Sequence, residues 1–315
     1  MMAVLTWQRT TTWLYALWKF SRPHTIVGTS VSVLGLYAIA LARDGGGGGL
    51  VNAHVAALVL TWLACICGNI YIVGLNQLED VGLDRINKPQ LPLASGEFSQ
   101  WEGIRIVVVT GVVALLIAAW EGPFLLATVG SSLIIGTAYS LPPVRLKRFP
   151  FWAALCIFGV RGLIVNLGLF LHFDTKWGGS SGIPIEVWAL TVFVVGFTFA
   201  IAIFKDIPDI EGDRQYQITT LTIKLGPQAV FNLAMGVLTV CYLGMGAAAL
   251  FLPEVQPLVL SGSQLLAMGV LWWRSRQVDL QEKEAIAEFY QFIWKLFFLQ
   301  YLIFPAACLL APLGG

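Results

Sequence analysis

Residues 76–97 read Asn-Gln-Leu-Glu-Asp-Val-Gly-Leu-Asp-Arg-Ile-Asn-Lys-Pro-Gln-Leu-Pro-Leu-Ala-Ser-Gly-Glu, an acidic and amide-rich stretch that follows a long apolar run. Asn76, Asp80 and Asp84 are spaced four apart, so on a helix of about 3.6 residues per turn they lie on one face. Two like charges at this spacing repel each other unless a cation lies between them. We therefore predict that these three residues bind Mg²⁺, which proteins hold through one or two carboxylates together with substrate phosphates. The alternative is an acidic helix end that faces solvent.

A second copy of this pattern lies 129 residues further along the chain, so that motif 76–97 is repeated at 205–226. The aligned pairs are Asn76 with Lys205, Asp80 with Asp209, Asp84 with Asp213 and Arg85 with Arg214. Asp206 adds a further carboxylate, and Pro208 predicts that a new helix begins within the motif. Internal repeats in membrane proteins usually place the site between the two halves. We therefore predict that Asp206, Asp209 and Asp213 also bind metal, across one chamber from the first motif.

Basic residues beside the two motifs are candidates to bind the phosphates of a diphosphate substrate, because cationic side chains neutralise charge that metal ions leave. The predicted diphosphate ligands are Arg85, Lys88, Arg145, Lys147 and Lys205. For Arg85 and Lys88, the alternative is a charge that only sets membrane topology. Tyr139 precedes the basic cluster at 145–148, where it either hydrogen-bonds a phosphate oxygen or faces the reacting carbon.

The composition predicts an integral membrane protein. Apolar residues make up 57% of the 315 residues and charged residues 12%, and the mean hydropathy is +0.76, values outside the usual range for soluble domains. A helical span needs about 20 mostly apolar residues. Nine such runs are present, at 24–42, 51–75, 104–120, 123–141, 151–171, 185–205, 228–250, 256–273 and 286–311. Barrel strands would alternate over about ten residues, so we predict an all-α bundle of nine transmembrane helices.

The distribution of basic residues predicts the orientation of this bundle. Of the 19 Lys and Arg residues, 15 fall before the first run or after the even-numbered runs, two fall on the opposite side and two lie inside runs. By the positive-inside rule, both acidic motifs face the cytoplasm. The net charge is only +1, so nothing in the composition indicates a nucleic-acid partner.

Four polar residues near or inside the spans are candidates to bind a second substrate. Arg22 and His24 open the first span, where they either reach the chamber from its rim or anchor the helix end at the membrane surface. Arg161 and Asn166 lie within the fifth run, where charges usually face the bundle interior. A carboxylate on the second substrate would satisfy Arg161, and so would a structural partner on a neighbouring helix. The preceding segment, 1–23, is rich in aromatic residues and predicts an interfacial helix.

At these residues the sequence resembles the UbiA superfamily of intramembrane aromatic prenyltransferases. The family pattern, an Asn followed by two Asp and then an Asp-rich second loop, matches Asn76, Asp80, Asp84 and Asp206, Asp209, Asp213. The segments most similar to its homogentisate prenyltransferases are 20–25, 87–96, 161–162 with 165–168, and 289–295. Gln90 stands where those enzymes have an aromatic residue. The resemblance covers nearly the whole chain and implies one membrane-embedded domain, 1–315, with loops that cap its cytoplasmic side.

The resemblance implies an Mg²⁺-dependent transferase that moves a prenyl group, expected to be phytyl, from a prenyl diphosphate to homogentisate in tocopherol and prenylquinone synthesis. Homogentisate is an aromatic acid, and loss of its carboxyl group accompanies the transfer. The implied catalytic residues are Asp80, Asp84, Asp209, Asp213 and Tyr139, and the implied acceptor-binding residues are Arg22, His24, Arg161 and Asn166. The implied location is a cyanobacterial thylakoid or plasma membrane.

Three alternative functions are compatible with the pattern. Another member of the superfamily would use 4-hydroxybenzoate, a naphthoate or a chlorophyll precursor as acceptor. A cation transporter with inverted repeats would place its acidic residues at mid-membrane, whereas these lie at the ends of apolar runs. A prenyl-lipid-binding protein without turnover would not need two intact Asp motifs.

Overall fold

The computed structural model describes residues 2–43, 51–179, 182–215 and 220–311, and the regular structure within these ranges is helical, without β-strands. The predicted all-α architecture is therefore confirmed. In chain order the helices are α1 (Met2–Phe20), α2 (Pro23–Arg43), α3 (Val51–Glu79), α4 (Val81–Asn87), α5 (Pro92–Ser95), α6 (Gln100–Glu121), α7 (Pro123–Ser140), a 3₁₀ turn (Leu146–Arg148), α8 (Pro150–Phe158), a π-helical turn (Gly159–Ile164), α9 (Val165–Lys176), α10 (Ile185–Phe204), α11 (Ile210–Gln215), α12 (Leu221–Leu225), α13 (Pro227–Ala248), α14 (Pro257–Ser275) and α15 (Lys283–Leu309).

Eight of the nine predicted spans are helices long and apolar enough to cross a membrane. The fifth of them consists of α8, the π-helical turn and α9 in one continuous run. The run at 256–273 forms α14, a helix of 19 residues, but its Ser, Gln and Arg side chains make it less apolar than the others. Among the described residues eight spans are thus supported, and the ninth stays a prediction.

Local sequence signals set where several of these helices begin. At the start of α6, the Ser99 hydroxyl accepts a hydrogen bond from the Glu102 N–H, and the Glu102 carboxylate accepts one from the Ser99 N–H at 2.8 Å. Proline occupies the start of α7, α13 and α14, where its missing N–H costs no intrahelical hydrogen bond. The connection between α6 and α7 is a single glycine, which keeps these two helices packed as neighbours.

Helix α10 is the most deeply buried of the long helices. Its Phe197 ring lies 5.9 Å from that of Phe297, and its Phe204 ring lies 5.6 Å from that of Phe289, both on α15. Each buried aromatic side chain removes about 150–250 Å² from solvent. Because α10 ends at Phe204, directly before Lys205, this packing places the second acidic motif against the bundle interior.

Both acidic motifs interrupt their helices. Asp80 has φ −110° and ψ 18° between α3 and α4, so the stripe predicted on one continuous helix is bent at that residue. The Asp80 N–H still donates to the Asn76 carbonyl at 3.1 Å, and the Asp84 N–H donates to the Asp80 carbonyl at 2.8 Å. In the second motif α11 begins after Pro208, as predicted, and it contacts α4. Residues 216–219 of this motif lie outside the described ranges.

The amino-terminal segment forms α1, in agreement with the helix predicted there. Its Trp13, Tyr15 and Trp18 side chains are exposed, whereas Ala16 and Phe20 are buried against the rest of the chain. One apolar face is therefore left uncovered by protein. A position in the membrane interface fits this face and stays a prediction.

Candidate active site

Both acidic motifs border one chamber of about 1760 Å³. The predicted site residues that line it are Arg22, His24, Asn76, Asp80, Asp84, Lys88, Tyr139, Arg145, Lys147, Lys205, Asp206, Asp209 and Asp213. Common small-molecule pockets measure about 300–1,000 Å³, so the chamber has room for more than one small substrate. The two motifs, far apart along the chain, are brought together by the contact between α4 and α11.

Asp80 is held by three side chains of the chamber. Asn76 Nδ2 donates to its Oδ2 at 3.0 Å, Lys147 Nζ lies 2.6 Å from Oδ2, and an Arg145 NH2 group lies 3.1 Å from Oδ1. Two cations therefore surround one carboxylate. This part of the chamber carries net positive charge and attracts an anion.

Arg22 and Arg145 both adopt left-handed backbone conformations, with φ of 53° and 39°. For residues other than glycine this costs of order 1–3 kcal/mol, and such residues cluster at functional sites. The Arg22 NH2 group lies 3.5 Å from Asn76 Oδ1 and 4.0 Å from Asp84 Oδ2. The strained backbone thus directs both guanidinium groups to the acidic side chains of the first motif.

Two buried oxygen atoms of the first motif, Asp84 Oδ2 and Asn87 Oδ1, have no hydrogen-bond partner. Gly212 of α11 lies so close to Asn87 that a Cβ atom added to it would be 2.3 Å from Asn87 Oδ1. Buried acceptors without donors need an explanation such as a bound ion or water. Hard oxygen atoms in this arrangement suit a divalent cation.

The carboxylates of the second motif are crowded. Burial, followed by repulsion from Asp206 and Asp209, raises the pKa of Asp213 to about 7. Burial also raises the pKa of Asp206 and of Asp84. A bound cation favours the ionised form of such groups, so this cluster is electrostatically complementary to a metal ion.

Cations lie between the two sets of carboxylates. Lys88, which follows α4 within the first motif, pairs with Asp209 of the second motif. At the end of α10, the nearby Tyr139 and then Asp206 raise the pKa of Lys205. Lys205 is therefore held in its charged form beside the tyrosine, a suitable place for a phosphate.

The donor set fits a divalent metal that binds together with a phosphate ligand. The described residues contain no group of three or more His, Cys, Asp or Glu side chains that could hold a metal by themselves, and lysine and arginine side chains pair with Asp80 and Asp209. Mg²⁺ is usually bound through one or two carboxylates plus substrate phosphates, with no all-protein cage. The free oxygen atoms of Asp84 and Asn87 meet that requirement.

Three predicted site residues do not line the chamber. Arg85 is exposed, because successive helical residues point about 100° apart and its neighbour Asp84 faces inward. Arg161 stacks on the Trp294 ring at 5.1 Å. Asn166 is fully buried, and its side chain is hydrogen-bonded to the protein at both polar atoms. The placement of Arg85 disfavours a role in diphosphate binding.

Sequence reasoning missed several residues that line the chamber, among them Asn87, Lys224 and Tyr290. Lys224 lies within the second motif, so its basic side chain was a usable signal. Asn87 and Tyr290 lie in the segments 87–96 and 289–295 that resemble the family, but this resemblance did not show that they line a chamber, because their positions depend on how α4 and α15 pack against other helices.

One wall of the chamber is apolar. It is formed by α8 and α10, through Ala153, Ala154, Ile157, Phe158, Phe199, Ala202 and Ile203. The opposite surfaces carry the acidic and basic side chains described above. The chamber is therefore complementary to an amphiphile with an anionic head and a hydrocarbon tail.

Comparisons with known proteins identify similar chains along most of this length. The UbiA prenyltransferase family matches residues 32–296. Homogentisate phytyltransferase of Synechocystis sp. is 54% identical over 299 residues, which cover 93% of this chain and 96% of that protein. Homogentisate solanesyltransferase of Arabidopsis thaliana is 39% identical, with 92% and 76% covered. The structure of a UbiA homologue from Archaeoglobus fulgidus bound to GPP and Mg²⁺ has a TM-score of 0.64 at 18% identity, with 92% and 99% covered.

Proposed function

This chain belongs to the UbiA prenyltransferase family, and from that premise we propose that it transfers a prenyl group from a prenyl diphosphate to homogentisate. It is an integral membrane transferase. The observation that carries the proposal is the single chamber in which two acidic motifs, several cations and an apolar wall meet. The prenyl group is proposed to be phytyl, because the 54% identical relative is a homogentisate phytyltransferase.

The diphosphate is proposed to bind at the charged end of the chamber. Lys88, Arg145, Lys147 and Lys205 line this end and supply charge-assisted hydrogen bonds to phosphate oxygens. The prenyl tail then lies along the apolar wall of α8 and α10. Tyr139 lies beside Lys205, close to where the bond to the diphosphate would break.

The residues proposed to hold Mg²⁺ are Asn76, Asp80, Asp84, Asp206, Asp209 and Asp213, to which we add Asn87 because it lines the same chamber. When bound, Mg²⁺ supplies Lewis-acid stabilisation of the negative charge that develops on the departing diphosphate. The orphaned oxygen atoms of Asp84 and Asn87 and the raised pKa of Asp213 support this assignment.

The reaction exchanges one bond for another. The bond between the prenyl carbon and the diphosphate oxygen breaks with its electron pair on oxygen, and a ring carbon of homogentisate bonds to the prenyl carbon. The ring carbon loses its proton, the carboxylate leaves as CO₂, and the methylene group takes up one proton to become a methyl group. The residues proposed to bind the acceptor are Arg22 and His24 at the chamber and Arg161 beneath it.

The positions of the acidic residues favour this function over cation transport. Asp80 and Asp84 follow the end of α3, and Asp209 and Asp213 follow the end of α10, whereas a transporter of the predicted kind would hold its acids at mid-membrane. The excess of basic residues on the same side as both motifs supports a cytoplasmic orientation. A cyanobacterial thylakoid or plasma membrane is the proposed location.

The proposed function is tested with the full-length protein in membranes, Mg²⁺, and homogentisate labelled either in the ring or at the carboxyl carbon. Phytyl, geranylgeranyl and solanesyl diphosphates are supplied in parallel. We expect ring label in a lipid product and carboxyl label released as CO₂ in equal amounts, with phytyl diphosphate preferred. Absence of prenylated product with every donor would overturn the proposal.

Replacement of Lys147 by methionine is expected to raise the KM for the prenyl diphosphate by about 10- to 100-fold, since a hydrogen bond to a charged group contributes about 1.5–3 kcal/mol. The KM for homogentisate should change little. Arg105→Met is a matched control, because Arg105 is an exposed cation at the start of α6 outside the chamber. An unchanged donor KM in Lys147→Met would remove this residue from the diphosphate site.

A further inference from the structure

Arg161, a cation inside a membrane span, has no acidic partner among the described residues. It lies in the π-helical turn of the fifth span, with its guanidinium 5.1 Å from the Trp294 ring and 5.7 Å from the Phe297 ring. The titratable groups that face it from other helices are the hydroxyls of Tyr290 and Tyr301 and the His24 ring. A charge at this depth is costly and usually serves a ligand or a pathway. None of these groups supplies the negative charge that Arg161 lacks.

Arg161 lies one helical turn deeper than residues that line the chamber. Ile157 lines the chamber, and Arg161 follows it by four residues on the same helix. On α2, His24 lines the chamber and Gly28 lies four residues below, where an added Cβ would be 2.9 Å from the Arg161 NH1 atom. The His24 ring packs on Trp294 at 5.1 Å. The Trp294 ring thus contacts both the guanidinium and the chamber-lining His24 ring, which places Arg161 at the floor of the chamber.

Side-chain hydrogen bonds from Asn166 hold the π-helical turn that carries Arg161. In this turn the Val165 N–H donates to the Val160 carbonyl, five residues back. Asn166 Nδ2 donates to the Gly162 carbonyl at 2.6 Å and more weakly to the Arg161 carbonyl at 3.4 Å. Such turns are rare and often mark functional sites. The Asn166 amide thus donates hydrogen bonds to carbonyl groups that would accept from backbone N–H groups in a regular α-helix.

Asn166 is in turn hydrogen-bonded to a residue of α15. The Tyr301 hydroxyl on α15 donates to Asn166 Oδ1 at 2.7 Å, and both residues are almost completely buried. On the opposite side, Gly162 is packed so closely on α10 that an added Cβ would lie 2.4 Å from Val195. Tyr301 and Asn166 therefore fix both the rotation and the depth at which the turn presents Arg161.

We propose that Tyr301 and Asn166 are positioning residues that hold Arg161 in place to bind the carboxylate of the aromatic acceptor at the floor of the chamber. This inference rests on the proposed function, and it assigns to Asn166 a role different from direct acceptor binding. The proposal predicts that recognition of the substrate carboxylate depends on the Tyr301 hydroxyl, which acts through Asn166 and does not itself touch the substrate.

The test compares Tyr301→Phe with Tyr242→Phe in the full-length protein. Tyr242 is also buried, but its hydroxyl has no hydrogen-bond partner, so its removal is a matched control. The readouts are the KM for homogentisate, the KM for the prenyl diphosphate, and the inhibition constant of 2,5-dihydroxytoluene, which lacks the carboxylate. For Tyr301→Phe we expect a KM for homogentisate raised about 3- to 10-fold, with the other two constants unchanged.

Two further variants test the same inference if Tyr301→Phe folds poorly. Gly28→Ala places a methyl group against the guanidinium from α2, and Arg161→Met removes the charge. Both are expected to raise the KM for homogentisate without raising the inhibition constant of 2,5-dihydroxytoluene. Two results would overturn the positioning role of Tyr301 and Asn166. One is an equal loss of affinity for homogentisate and for 2,5-dihydroxytoluene. The other is an unchanged KM for homogentisate in Tyr301→Phe while the unmodified protein prenylates homogentisate. Failure of the unmodified protein to use any acceptor would instead overturn the proposed function.

Discussion

Alanine in place of Asp84 or Asp213 is expected to lower the rate of prenyl transfer by about 1000-fold, the size of effect seen when a preorganised stabiliser of developing charge is removed. Asp84 has a buried oxygen that accepts no hydrogen bond from the described residues and lies 4.0 Å from the Arg22 guanidinium, and burial, followed by repulsion from Asp206 and Asp209, raises the pKa of Asp213. Each variant would remove one carboxylate proposed to hold the Mg²⁺ that stabilises charge on the departing diphosphate. The measurement is the rate of single-turnover product formation at saturating substrates.

Glu211 offers a matched control for both substitutions. It is an acidic residue of the same segment, between Asp209 and Asp213, but its side chain is exposed and does not line the chamber. Glu211→Ala should therefore retain the rate of the unmodified protein. Since Asp213 is buried among like charges, Asp213→Ala should unfold at an equal or higher temperature without metal. A full rate in Asp84→Ala and Asp213→Ala would show that the metal assignment is wrong.

Removal of divalent metal by EDTA is expected to reduce prenyl transfer to background, and addition of Mg²⁺ in excess should restore it. The physical reason is that Asp206, Asp209 and Asp213 repel one another, so a diphosphate needs more positive charge beside them than Lys88 and Lys205 supply. Transfer is measured as lipid-extractable ring label over a Mg²⁺ titration.

Ca²⁺ provides a control for this metal prediction. It prefers six to eight oxygen ligands at 2.3–2.6 Å and tolerates irregular geometry, whereas Mg²⁺ requires near-octahedral ligands at 2.0–2.1 Å. We expect Ca²⁺ to support much less transfer than Mg²⁺ at the same free concentration. Full transfer in the presence of EDTA would contradict a metal-dependent mechanism.

The acidic and basic residues of the site were largely predictable from spacing. The intervals between Asn76, Asp80 and Asp84, and their repetition in the second motif, indicated one chamber because like charges at helical spacing need a cation. Arg85 has a chemical type that suits phosphate, but its angle on the helix points it outward and it does not line the chamber. The angle was readable from the sequence once Asp84 was assigned to the interior.

Arg161 and Asn166 show where sequence reasoning stopped. Their positions inside a span identified both as unusual, but the choice between a ligand and a structural partner stayed open. The structure places Asn166 against the Tyr301 hydroxyl and the carbonyl groups of a π-helical turn. No pattern in the chain indicates that turn, because a π-helical hydrogen bond leaves no sequence period.

The sequence by itself determined the membrane class, the helical architecture and the pair of acidic motifs, because hydropathy, run length and spacing are properties of neighbouring residues along the chain. Only the tertiary structure decided which cations pair with Asp80 and Asp209, that Asn87 lines the chamber, and that Arg161 lies against the Trp294 ring next to His24. Those contacts join helices far apart in the sequence, and their geometry is set by how large side chains pack between α2, α10 and α15.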